Sequence, residues 1–167
     1  MATNRYSLAD YILTLKIPNN ASIPESLRNK SFSIGGPGIE NGGKGSFLGQ
    51  ISISRNVDAW STEGDATGSW VHNKNNDKTG SCEVRIRQVS DDVVRLANIA
   101  QIYESIQDNV EGLTITITSA FSNSISGSDV IVTCNDCYIQ KIADLEFAAE
   151  AQEQAWTFTC GQIFFYQ

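Results

Sequence analysis

The sequence predicts a mainly β protein, an antiparallel β-sandwich or partly open β-barrel with one flanking α-helix at about residues 91–108. Three observations carry that prediction. Short runs that alternate apolar and polar residues recur along most of the chain, separated by turns rich in Gly, Asn and Ser. A single stretch, after Ser90, has a helical period. The length, 167 residues, suits one domain and lets roughly 70% of the unfolded chain's surface be buried, so no metal or disulfide is needed for stability. Residues 1–167 are therefore read as a single domain, with an N-terminal arm and glycine-rich loop at about residues 18–46.

Taken in order, Ser7 can cap a short turn, and residues 11–17 alternate as a half-buried strand that Pro18 ends. Residues 19–32 have no clear period and read as an irregular arm. Residues 35–45 (GGPGIENGGKG) are dense in glycine and read as a loop that orders on assembly, with Gly35, Gly38, Gly42, Gly43 and Gly45 as its flexible points. The organising stretch follows at residues 50–88. Three strand-like runs joined by two polar, glycine-bearing turns give the pattern of an antiparallel meander. Phe47, Ile51 and Ile53 mark the first run, which continues through Arg55 to Trp60. Residues 69–72 form the second. Cys82, Val84 and Ile86 mark the third, after the turn at residues 75–80 (NNDKTG).

Ser90 then presents an N-cap, with Asp91 and Asp92 at the positive end of a helix dipole. Val93, Leu96, Ala97, Ala100, Tyr103 and Ile106 recur at helical steps. Residues 113–121 and 130–141 read as two further strands around a Ser, Asn and Gly loop. Trp156, Phe158 and Cys160 alternate with Thr157 and Thr159, and residues 163–166 close the chain.

The hydrophobic share of 41% and charged share of 19% are those of a globular protein. Acidic residues outnumber basic ones by 19 to 12, for a net charge of −7. That balance argues against tight binding of nucleic-acid phosphates, which rests on clustered cations. It is compatible with a surface along which DNA slides, because a negative wall repels phosphate. No run of about 18 apolar residues exists, so no membrane anchor is expected. The N-terminus lacks the basic-then-apolar order of a signal peptide, which implies synthesis in a cytoplasm and reduced thiols at Cys82, Cys134, Cys137 and Cys160.

No motif assembles a reaction. Residues 38–45 (GIENGGKG) fit G-x-x-x-x-G-K, but Gly45 stands where a phosphate-binding loop needs a hydroxyl, and a strand rather than a helix follows. Cys134-Asn135-Asp136-Cys137 has the spacing of a metal or redox pair. Residues three apart in an extended strand point to opposite faces, however, so the thiols converge only at a bend. His72 is the sole histidine and sits among polar turn residues. Catalytic, cofactor and metal residues are therefore assigned to none, and the expectation is a protein that is not an enzyme.

The segments SISRNVDAW, GDATGSWVHNKNNDKTGSCEVRIRQ and IVTCNDCYIQKIADLEFAAEAQEQAWTFTC resemble the tail tube proteins of contractile-tailed bacteriophages. The family's Arg-Asn-x-Asp pattern is matched by Arg55, Asn56 and Asp58, and its Asn-Asp-Lys-Ser/Thr-Gly turn by Asn76, Asp77, Lys78, Thr79 and Gly80. Its closing Trp-x-x-x-Cys strand is matched by Trp156 and Cys160. The resemblance covers about residues 46–165; the first 45 residues depart from it.

The resemblance implies a virion protein made in the host cytoplasm, six copies closing into a ring, and rings stacking into a tube. Its implied partners are further copies, the tail sheath, the tape measure protein, and baseplate and tail terminator proteins. DNA would pass through the lumen without specific binding. Arg55, Asn56, Asp58, Asn76, Asp77, Lys78 and Gly80 become candidates for subunit contacts. Glu63, Asp65 and Asp136 become candidates for an acidic lumen. Two alternatives accompany this reading: a baseplate, terminator, bacteriocin or secretion-tube protein of the same fold, and, more distantly, a ligand-binding β-barrel or enzyme.

Overall fold

The alternation of apolar and polar residues sorts most strands of this chain onto one sheet with one buried face. The computed structural model describes residues 7–8, 11–35, 48–106, 109–119 and 130–166. Among them run β1 (Tyr11–Lys16), β2 (Ser31–Gly35), β3 (Leu48–Arg55), β4 (Trp60–Gly64), β5 (Trp70–Lys74), β6 (Gly80–Arg87), α1 (Asp91–Ser105), β7 (Leu113–Ser119), β8 (Val130–Ile139) and β9 (Glu153–Phe165). Seven strands form an antiparallel sheet in the order β2-β1-β7-β8-β9-β6-β3, and β4 and β5 form a separate pair. The large sheet curls into a half-barrel, in agreement with the predicted mainly β class with one helix.

Register explains the core. Ile53, Cys82 and Phe158 are cross-strand neighbours, as are Ile51, Val84 and Trp156. On the other half of the sheet Ile34, Leu13, Ile117 and Val132 form one row, and Phe32, Leu15, Ile115 and Cys134 the next. Because side chains alternate faces, these rows share a face, and they make one apolar cluster. Trp156 and Phe158 are its largest fully buried members, each contributing about 1.5–3 kcal/mol by leaving water. The opposite face is hydroxyl-rich, with rows such as Ser33, Thr14, Thr116 and Thr133 and the row Ser52, Glu83 and Thr157.

Two bulges face each other in the middle of the sheet. Cys134 and Cys137 are three residues apart yet both buried, and so are Cys160 and Ile163. Cys134 pairs with Ile163 and Cys137 with Cys160. Asp136 takes a left-handed backbone (φ 56°), and its Oδ1 accepts the Gly112 N–H at 3.1 Å. This is the bend that convergence of the two thiols requires.

Helix α1 begins as predicted: the Ser90 hydroxyl oxygen accepts the Asp92 N–H at 3.3 Å, with Asp91 and Asp92 in the first turn. It ends at Ser105, three residues earlier than expected. Ile106 turns to extended backbone, and its N–H makes the final bond to the Ile102 carbonyl. Leu96 and Ile99 join the core cluster. The Arg95 guanidinium lies 5.5 Å from the Phe32 ring centre, and Tyr103 meets Tyr138 edge-on at 5.8 Å. These contacts tie the helix to β2 and β8.

Three features of the sequence-based outline change. The arm contains a strand, β2, and Gly35, placed in the glycine loop, ends that strand. The run expected from residue 47 to 60 is two strands, with a break at residues 56–59. The meander does not exist: β3 pairs with β6 across 24 intervening residues (56–79), and the segment between them folds back on itself as β4 and β5. Alternation sets which face is buried, not which strand lies next door.

Candidate assembly surface

The β4–β5 hairpin is built from local pairings alone. Trp60 faces Lys74, Thr62 faces His72 and Gly64 faces Trp70 on one side; Ser61 faces Asn73 and Glu63 faces Val71 on the other. Lys74 Nζ lies 5.8 Å from the Trp60 ring centre, and Thr62 Oγ1 and His72 Nδ1 are 2.8 Å apart. At the tip, Asp65 Oδ1 accepts from the Thr67 N–H (2.9 Å), the Thr67 hydroxyl (2.6 Å) and the Ser69 N–H (3.0 Å). Gly68 supplies the positive φ (88°) that closes the turn. The Thr67 hydroxyl and the backbone N–H groups hold the Asp65 carboxyl below its ordinary range.

Every residue from 56 to 78 is exposed. Trp60 is 60% exposed, Trp70 68% and Val71 60%. Two tryptophans on one side of a hairpin that touches no core is an arrangement found where a protein meets a partner.

The base of the hairpin is held differently. Asn75 Oδ1 accepts the Asp77 N–H at 2.9 Å, and Asp77 Oδ1 accepts the Thr79 N–H (2.9 Å) and hydroxyl (2.7 Å). The Thr79 contacts lower the Asp77 pKa. Asn56 bonds Thr79 through backbone and side chain. Arg55 donates from Nε and Nη2 to the Ile163 carbonyl (3.2 and 2.6 Å) and lies 5.4 Å from the Phe165 ring centre. Lys78 Nζ lies 5.0 Å from the Phe164 ring centre, and its carbonyl accepts the Ile163 N–H at 3.0 Å. The two ends of the 55–80 segment are thus fastened to the end of β9.

The family model of the bacteriophage PhiTE tail tube protein matches residues 25–165, 141 of the 167 positions. The chain belongs to that tail tube family. No curated relative matches the sequence. Three solved structures are similar in fold. The sheath/tube terminator of a PVC extracellular contractile injection system, in its extended state, has 12% identity over 100% of both chains with a TM-score of 0.54. The tube-terminating cap of the anti-feeding prophage has 12% identity over 98% of this chain and 92% of that one, TM-score 0.50. The PVC sheath-tube complex in its extended state has 13% identity over 96% and 90%, TM-score 0.50.

In this tail tube-type structural protein the predicted residues fall into separate groups. Arg55, Asn56, Asn76, Asp77, Lys78 and Gly80 gather at the base of the hairpin, with Asp58 in the break before β4. Gly80 is buried in β6, where an added Cβ would strike the Ser54 carbonyl and the Ile163 side chain. Glu63 and Asp65 lie on the hairpin and Asp136 on the β8 bulge, so these carboxylates sit on different elements. Gly35 ends β2 with φ 95°; Gly38, Gly42, Gly43 and Gly45 lie outside the described residues. Among the described residues no group of three His, Cys, Asp or Glu side chains is arranged to hold a metal ion. Among the described residues no helix is long and apolar enough to cross a membrane.

Sequence reasoning did not single out Trp60 and Trp70 as surface residues. A signal was present: neither tryptophan sits in an apolar alternation, since β4 reads WSTEG and β5 WVHNK.

Proposed function

We propose that this chain is the repeating subunit of a tail tube, closing with further copies into rings, six to a ring, that stack into a conduit for DNA delivery. The observation that carries the reading is the β4–β5 hairpin. An isolated two-stranded hairpin is marginal in water, and one that displays Trp60 and Trp70 gains stability when a neighbouring copy covers them. The half-barrel adds to this. β2 and β3 are the end strands of the described sheet, and strand edges at the ends of a sheet are what ring closure covers.

In the assembled tail, the partners are the sheath, tape measure, baseplate and terminator proteins. The net charge of −7 suits a lumen that lets DNA pass without holding it, with Glu63, Asp65 and Asp136 as candidate lumen carboxylates. The subunit is made in the host cytoplasm and resides in the virion tail. The contact set proposed from the base of the hairpin includes Asp58, Asp77 and Lys78.

A second reading is a terminator that caps the tube as a single ring. Likeness to the PVC terminator and the anti-feeding prophage cap favours keeping it. Electron micrographs of the purified protein separate the two: a tube subunit gives stacked rings that lengthen with concentration, a cap gives rings that do not stack. Neither rings nor tubes at any concentration would sink both. Trp70→Ala is expected to abolish stacking while leaving the monomer's far-ultraviolet circular dichroism unchanged.

A further inference from the structure

The four cysteines, drawn from β6, β8 and β9, all lie on the buried face of the sheet. The paired bulges in β8 and β9 turn Cys134, Cys137 and Cys160 to the same buried face of the sheet. Cys82 stands on the neighbouring strand, opposite Phe158. The tube reading makes no use of these four buried thiols.

Cys137 and Cys160 are direct partners in the β8–β9 register. Facing residues in an antiparallel pair have Cα atoms about 4.5–5.5 Å apart, within the roughly 4.4–6.8 Å that a disulfide spans. Cys134 faces Ile163 and Cys82 faces Phe158 instead. We propose that Cys137 and Cys160 are a disulfide-forming pair, closed by a small peroxide.

Cys160 is the entry point. It is 4% exposed where Cys134 and Cys137 are 0%, so of the three it is the one a small oxidant reaches. Of the facing pair, Cys160 is the more exposed sulfur, and its thiolate is the form that attacks. Its thiolate displaces hydroxide from the O–O bond of hydrogen peroxide to give a sulfenic acid. The Cys137 sulfur then attacks the Cys160 sulfur, the S–O bond breaks, and water leaves with the Cys137 proton. Two thiols lose two hydrogens, and one peroxide becomes two waters.

The bond would join the two central strands of the seven and close a loop over residues 138–159. That loop carries the irregular segment on which Leu145 and Phe147 are exposed. It would be open in a reducing cytoplasm and closed outside one.

The test is peptide mapping of the folded protein after hydrogen peroxide, with alkylation under denaturing conditions. The expected result is loss of two hydrogens, protection of two cysteines from alkylation, and one cross-linked product joining the Cys137 and Cys160 peptides, reversed by dithiothreitol. Cys82→Ser is expected to keep that product and Cys160→Ser to lose it. Four alkylated cysteines after oxidation, a link through Cys82 or Cys134, or a link formed only in urea-unfolded protein would overturn the proposal. Mapping the unsubstituted protein decides the matter even if a variant fails to fold. It does not depend on tube assembly.

Discussion

Residues 48–87 hold two antiparallel pairs with opposite fates. β3 and β6 are far apart in sequence and lie in the core sheet, where Cys82, Val84 and Ile86 are completely buried. β4 and β5 are adjacent in sequence, and all ten of their residues are exposed. The first pair owes its place to apolar side chains at every second position, which find Trp156 and Phe158 across β9. The second pair has no such face and is held by a capped turn, a hydroxyl–imidazole contact and a cation over an indole. Core strands are fixed by what they bury; the hairpin is fixed by its own turns and left available to a partner.

The largest expected effect is on the buried side of that contrast. Trp156→Ala removes the largest side chain of the core and should cost about 3–5 kcal/mol in urea unfolding. Trp70→Ala, the same substitution on the hairpin, should change monomer stability by less than about 0.5 kcal/mol. Equal losses at the two positions would erase the distinction. Trp156 Nε1 is buried without a hydrogen-bond partner among the described residues, so Trp156→Phe should be milder than the alanine change, because it keeps an aromatic ring in the core and loses no hydrogen bond.

Gly80 marks the junction between the two pairs. An added methyl meets the Ser54 carbonyl and Ile163, and Gly80→Ala should cost about 1–3 kcal/mol as overpacking. Thermal unfolding that leaves this variant unchanged would mean that β3 shifts freely against β6.

How much of this was legible follows from the range of each interaction. The cap of α1 was visible because Ser90, Asp91 and Asp92 act within one turn. β6, β7 and the first part of β9, up to Cys160, were visible because their alternation is strict. β2 was not, since SFSIG has two apolar positions and follows a turn segment without period. The pairing of β3 with β6 was not, since it depends on what β9 offers the far side of β6. Convergence of the cysteines needed two bulges at once. Asp136 at positive φ was one hint, as Asn and Asp enter that region more readily than other residues. Gly161, whose added Cβ would lie 3.3 Å from the Asp136 Cβ, was the other, but their juxtaposition is a fact of register.

Asp77→Ala separates the two roles of the hairpin's base. Asp77 closes the 75–79 turn through Thr79, so the substitution should loosen that turn and weaken assembly more than it weakens the monomer. Lys78→Ala, which leaves the turn bonds in place, should affect assembly alone. Variants that assemble as well as the parent would move the subunit contact elsewhere, and the tryptophan side of the hairpin would then be the surface to test.

The smallest effect is the pH response of the two turns, and it discriminates well between local and core stabilisation. Asp65 and Asp77 both have pKa values lowered from 3.8 by bonds to Thr67, Ser69 and Thr79. A carboxyl whose folded pKa is depressed stabilises above its unfolded value and ceases to do so as pH falls through the folded one. The turns should therefore stay ordered at and above the ordinary aspartate range and open below it, while the β3–β6 pair is unaffected there. Backbone amide shifts of Thr67, Ser69 and Thr79 followed through an acid titration report this directly. Midpoints at or above 3.8 would mean that these bonds do not hold the carboxylates. Asp65→Asn, which keeps an acceptor oxygen but removes the charge, should flatten the response of Thr67 and Ser69 and leave that of Thr79 intact.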